Sequence, residues 1–196
     1  MCKFVYSILK AVLIIALVLI AVKKSNAQKE FASGQNILGV SIGVGGSMQS
    51  ATYDKQSPTI AMIYERGIWD GIGPGNIGLG AYLGFKSYNY NGNDYWGTYS
   101  YKWNYTIFGI RGAYHYDFIG DGKLDTYGGA MLGIAHRNFR YSYSYDYYTG
   151  VPKYKNTYLT ADIFVGSRYY VTPNIAVFGE VSINVSLISL GANIKF

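Results

Sequence analysis

Apolar and polar residues alternate along most of this chain with a period of two, and helical spacing is nearly absent. In Ile37–Met48, Leu38, Val40, Ile42 and Val44 share one face, with Gly39, Ser41, Gly43 and Gly45 on the other. The pattern returns in Thr59–Trp69, Ile77–Tyr88, Tyr101–Tyr116, Asp125–Tyr141, Thr157–Val171, Ile175–Ser182 and from Leu187 to the end. Eight strands are therefore predicted, each with one apolar face. The opposite faces carry mainly Gly, Ser, Thr and Tyr with isolated charges, rather than the Lys, Glu and Thr of a water-facing sheet.

Small residues with a few ions suit the interior of a narrow barrel, and an apolar exterior suits lipid. Each long strand also covers the roughly 9–11 residues that a tilted membrane strand needs. The links alternate: those near 50–58, 89–100 and 142–156 read as long and polar, those at 70–76, 117–123 and 171–174 as shorter. The expected fold is all-β, an eight-stranded antiparallel up-and-down transmembrane barrel with both termini periplasmic. A secreted β-sandwich is the alternative, and it predicts solubility without detergent.

The first residues bear on compartment. Lys3 and Lys10 precede an apolar run from Ala11 to Val22, followed by Lys23, Lys24 and Ser25-Asn26-Ala27. This is the order of a cleaved signal peptide. Twelve apolar residues would span only about 18 Å as a helix, short of the roughly 30 Å hydrocarbon layer. The expected division is a signal peptide over 1–27 and a barrel domain over 28–196. Composition then changes meaning, because four of the 17 basic residues leave with the leader, so 13 remain against 11 acids. The whole-chain pI of 9.2 thus carries no nucleic-acid footprint. Cys2, the sole cysteine, also leaves, which removes disulfides and thiolate metal sites, and no cofactor is expected.

The last strand ends in an aromatic. Ile188, Leu190, Ala192, Ile194 and Phe196 alternate with Ser189, Gly191, Asn193 and Lys195, the pattern of an assembly signal. With Ile110-Arg111-Gly112-Ala113-Tyr114-His115-Tyr116, Leu124-Asp125-Thr126-Tyr127-Gly128-Gly129 and Phe178-Gly179-Glu180, it makes the chain resemble the small outer-membrane β-barrel family of OmpA-, OmpX- and OmpW-like proteins. The resemblance implies an outer-membrane location, lipid contact and recognition of the last strand by the barrel-assembly machinery. It says less about activity, since such barrels serve many roles.

Two sets of residues are candidates for function. Glu65, Lys86, Arg111, Asp162, Arg168 and Glu180 fall on the inward face, where they are expected to pair in a side-chain-filled lumen. The competing reading makes them the lining of a minor pore for small or hydrophobic solutes. The second set is aromatic at period two: Tyr99, Tyr101, Trp103 and Tyr105, then Phe139, Tyr141, Tyr143, Tyr145 and Tyr147. A register in which residue numbers sum to about 242 would set Tyr101 opposite Tyr141. A ladder of four or five rings runs about 20 Å or more, too tall for an interfacial girdle alone. It predicts strands that continue beyond the membrane as a ribbon able to contact a surface ligand or glycan. The face occupied by the rings is open at this stage. Of the only two histidines, His115 falls near the periplasmic end and His136 has no Ser and carboxylate at triad spacing, so interfacial or lumen hydrogen bonding is expected of them and no enzyme.

Overall fold

The computed structural model describes residues 31–48, 53–95, 97–119, 122–143 and 153–196. The expected leader over 1–27 lies outside these residues, as do Tyr145 and Tyr147. Among the described residues nine strands run in order: β1 (Asn36–Val44), β2 (Lys55–Gln56), β3 (Thr59–Ile72), β4 (Gly75–Asp94), β5 (Gly97–Tyr116), β6 (Leu124–Tyr143), β7 (Lys153–Tyr170), β8 (Ile175–Ser182) and β9 (Ile188–Lys195).

Each spanning strand pairs antiparallel with its sequence neighbour, and β1 pairs with both β3 and β9. That second pairing closes the ring. Eight strands form the wall, and the short β2 adds to β4 beyond the Ser57-Pro58 break in β3's ladder. Closure leaves the wall without an edge, which removes the sandwich alternative. The chain ends meet at one rim, where Asn36 and Phe196 exchange backbone N–H···O bonds of 2.9 Å in both directions. This is the terminal rim; the opposite one is the ribbon rim.

Alternation sorts the two faces cleanly. Val40, Ile110, Leu159 and Val165 are 60–76% exposed on the outside, and comparable residues stand on every spanning strand. A soluble monomer rarely exposes a contiguous apolar patch above a few hundred Å². A continuous apolar belt around a closed ring is the surface a hydrocarbon layer covers. Inside, small residues make room for large ones. Gly129, for example, lies against the Gly112 carbonyl and 2.7 Å (from a notional Cβ) from the Phe164 ring, so no side chain fits there.

Strand lengths depart from the sequence expectation on one flank. β4, β5 and β6 each run 20 residues and β7 runs 18, whereas β1, β8 and β9 have only eight or nine. The long polar link expected at 89–100 is instead two strands in continuous register from Asn89↔Lys102 to Asp94↔Gly97. Its Asn and Gly residues read as turn signals, but they alternate with tyrosines whose rings stack across the strands, and the ladder continues through them. The wall is therefore tall on the β4–β7 side and low on the β8–β9–β1 side.

Candidate functional site

The lumen is filled by interlocking ionic clusters. At its centre, Arg111 on β5 donates to Glu180 on β8 through both terminal nitrogens, at 2.7 and 3.5 Å. The Tyr127 hydroxyl donates to the same carboxylate at 3.2 Å, and the Arg111 guanidinium lies 3.8 Å from the Phe164 ring centre. Nearer the terminal rim, four side chains form a closed cycle. Glu65 meets His115 at 2.6 Å, His115 meets Asp125 at 2.9 Å, and Arg168 bridges back to Asp125 at 2.8 Å and Glu65 at 3.0 Å. Both ring nitrogens of His115 face carboxylate oxygens, and both can donate only as the imidazolium. The cycle is then two cations and two anions, all nearly inaccessible to solvent.

Lys86 and Asp162, also buried, pair with backbone instead of with each other. The Lys86 ammonium donates to the Gly45 carbonyl and, at 2.8 Å, to the Val185 carbonyl. Asp162 accepts the Ser182 hydroxyl and the N–H groups of Ile183, Asn184 and Val185, all at 3.0–3.1 Å. Together they draw the β8–β9 connection inward, and Val185 seats in the apolar cluster with Tyr88 and Tyr105. This connection stops the ribbon side of the lumen. Phe31 stops the terminal side: it is 2% exposed, its ring centre is 4.3 Å from His115, and its carbonyl accepts the Asn76 amide. Between the stoppers, the space bordered by Arg111, Asp162, Glu180 and Ser182 has room for about one water at most.

Lumen hydrogen bonding was among the roles expected of His115, but its carboxylate partners were not foreseen, and sequence reasoning overlooked Asp125, Phe31 and Val185 as lumen groups. His115 shares the parity of Arg111, so its inward position was available. Asp125 becomes visible only through register, because it sits directly opposite Arg168. Phe31 and Val185 lie outside any alternating run, and nothing in the local pattern marks them.

The aromatic set occupies one face. Tyr99, Tyr101, Trp103 and Tyr105 share the parity of Arg111 without an intervening bulge, so they continue the lumen face above the ribbon rim. β5 and β6 pair with residue numbers summing to 242, which sets Tyr101 opposite Tyr141, Trp103 opposite Phe139, and the backbone of Tyr99 opposite that of Tyr143. The Tyr101 ring centre stands 5.1 Å from Tyr141, 5.9 Å from Phe139, 5.9 Å from Trp103 and 6.0 Å from Tyr90. Tyr154 on β7 extends the array, 6.5 Å from Phe139. Lower down, Tyr88 and Tyr105 meet edge to face at 5.6 Å, and Tyr53 covers Tyr88 at 4.8 Å. The higher rings are half-exposed, forming a four-stranded sheet with an aromatic inner face.

The terminal strand presents Ile188, Leu190, Ala192, Ile194 and Phe196 outward, with Ile194 at 57% and Phe196 at 65% exposure. His136, on the outer face of β6, meets the Thr157 hydroxyl at 2.9 Å.

No protein-family model matches the sequence, and no curated protein matches it either. Solved structures do match. The crystal structure of Ail, the attachment invasion locus protein of Yersinia pestis, in complex with the heparin analogue sucrose octasulfate, superposes with a TM-score of 0.51 at 12% identity, covering 84% of this chain and 99% of that one. The N-terminal β-barrel domain of Pseudomonas aeruginosa OprF gives 0.43 at 13% identity, over 84% and 98%. The backbone structure of the Yersinia pestis outer membrane protein Ail in a phospholipid nanodisc gives 0.41 at 12%, over 84% and 100%. A closed, antiparallel, up-and-down ring of eight strands with an apolar belt, superposing on almost the whole length of Ail, gives this protein the fold of a small outer-membrane β-barrel.

Proposed function

We propose that this protein is an outer-membrane barrel with a closed lumen, and that its function lies in the aromatic inner face of the β4–β7 ribbon, which holds a saccharide at the cell surface. In this reading the terminal rim is periplasmic, the ribbon stands outside, and the outward residues Ile188 to Phe196 serve the assembly machinery. The observation that carries it is the alignment of Tyr90, Tyr101, Trp103, Phe139 and Tyr141 on one face beyond the lipid belt. Flat rings at about strand spacing offer large contact area at small entropy cost. The array continues well past the few residues that an interfacial girdle employs. Arg137 shares this face, at the Tyr105 hydroxyl, and adds a cation for an acidic substituent.

The sulfated sugar bound to Ail supports the ligand class, since that barrel has the same fold. The role is non-catalytic: His115 is held between two carboxylates and His136 against a threonine.

The test is calorimetric titration of the refolded protein, in phospholipid nanodiscs, with sucrose octasulfate and with a neutral hexasaccharide. Binding of either by the wild type, reduced at least about tenfold in Tyr101→Ala/Trp103→Ala, is expected; tenfold is about 1.4 kcal/mol, within what two ring contacts contribute. Equal binding by both proteins, or by neither, refutes the assignment.

A further inference from the structure

The outer face of the same ribbon carries a different chemistry. Beyond the belt the outward positions turn polar, through Thr106, His136 and Thr157, and then basic. Register places Lys55, Asn89, Lys102, Arg140 and Lys153 in a single row across β2, β4, β5, β6 and β7. Neighbouring strands are about 4.8 Å apart, so the row is about 19 Å wide. Lys155 stands two residues nearer the belt, opposite Asn138. Lys55, Lys102, Arg140 and Lys155 are exposed, and none forms a salt bridge with another described residue.

Lys102 directly opposes Arg140, and Arg140 directly opposes Lys153. Like charges placed so weaken a sheet. The interior of this barrel, by contrast, matches nearly every charge with an opposite one or with backbone. Four cations on one flank, Lys55, Lys102, Arg140 and Lys155, unmatched by any described acid, are accounted for by an anion that arrives from outside.

Height narrows the choice of anion. Arg140 lies six residues above Ile134, and Lys102 six above Phe108, each the last large apolar residue facing out on its strand. Six residues are about 20 Å of strand, or about 15 Å of height at the ~40° tilt of such barrels. Lys155, four residues above Leu159, stands at about 10 Å by the same measure. A phospholipid headgroup layer is only about 5–8 Å deep. Even with side chains bending downward, the row stands above phospholipid phosphates and level with the sugars of a taller headgroup.

Resting on the membrane placement proposed above, we propose that Lys55, Lys102, Arg140 and Lys155 form a docking surface for the acidic oligosaccharide headgroup of a glycolipid in the surrounding outer leaflet. The occupant is membrane-resident because the row faces sideways along the leaflet, on the opposite side of the sheet from the aromatic face.

The experiment compares the refolded protein in phosphatidylcholine vesicles, in the same vesicles with lipid A, and in vesicles with rough-type lipopolysaccharide that retains its acidic core sugars. The reading is the temperature at which the folded, fast-migrating gel form is lost. Lipopolysaccharide is expected to raise this midpoint more than lipid A does, and the rise should shrink with added salt. In Lys55→Gln/Lys102→Gln/Arg140→Gln/Lys155→Gln the rise should disappear, while the midpoint in phosphatidylcholine stays at or above that of the wild type. An equal rise in both proteins overturns the proposal, as does an equal effect of lipid A and lipopolysaccharide. A rise with sucrose octasulfate in phosphatidylcholine that disappears in the same quadruple variant would also overturn it, in favour of a soluble polyanion. Failure to insert into any vesicle would instead strike at the membrane placement, and loss of sugar binding on the aromatic face would leave this result untouched.

Discussion

Arg111 shows how much of this structure depends on single buried groups. Its guanidinium is matched by Glu180 and lies over the Phe164 ring, and removing it strands a carboxylate in a closed lumen. Loss of one partner of a buried pair costs about 3–5 kcal/mol. Arg111→Ala is therefore expected to unfold at markedly lower urea concentration in vesicles, whereas Arg111→Ala/Glu180→Ala, with both charges gone, should recover part of the loss. A double variant no better than the single one would show that Glu180 is satisfied without Arg111. Asp162 makes a different prediction. It caps three successive N–H groups of the β8–β9 connection, so Asp162→Ala should free that connection and expose the 182–187 peptide amides to hydrogen exchange, with the belt amides of β5 and β6 still protected.

At the level of the strand, most of the wall was legible because alternation of apolar with small residues is a direct consequence of the pleat. Ile175–Ser182 has the bounds that its pattern gives. The strand ends on the tall flank were not, and the reason is chemical. Asn91-Gly92-Asn93-Asp94 has the composition of a turn, yet each residue is laddered to the opposite strand from Ser100 to Gly97. What continues the strand is contact between rings on neighbouring chains, and local composition does not record a neighbour. Because β4 and β5 are in uninterrupted register, removing 90–94 and 97–101 together leaves Asn89 still facing Lys102. This shortened protein is expected to keep heat-modifiable mobility and lose sugar binding. Loss of the folded form would mean that the ribbon is needed to hold the barrel closed.

The whole molecule combines a belt with a lumen blocked at both rims. The inward charges were identifiable from parity, but their partners were not: pairing across the ring joins residues as distant in sequence as Glu65 and Arg168. Lys86 and Asp162, of opposite sign, hold the loop and not one another. With Phe31 below and Val185 above, purified protein in planar bilayers is expected to show no steady conductance. Discrete channels in the wild type would turn the inward charges into a pore lining and bring solute passage to the front.

The unequal wall gives the barrel a front and a back. Viewed down its axis, an ordinary cylinder presents the same profile to every neighbour, but here the strands of one flank, 18–20 residues long, outreach the eight-residue strands across the ring. In a crowded leaflet, proteins approaching the low side would meet bare belt, while those approaching the tall side would first meet the row of lysine and arginine side chains. Lateral encounters then depend on compass direction, so any clusters these molecules form should have a preferred heading.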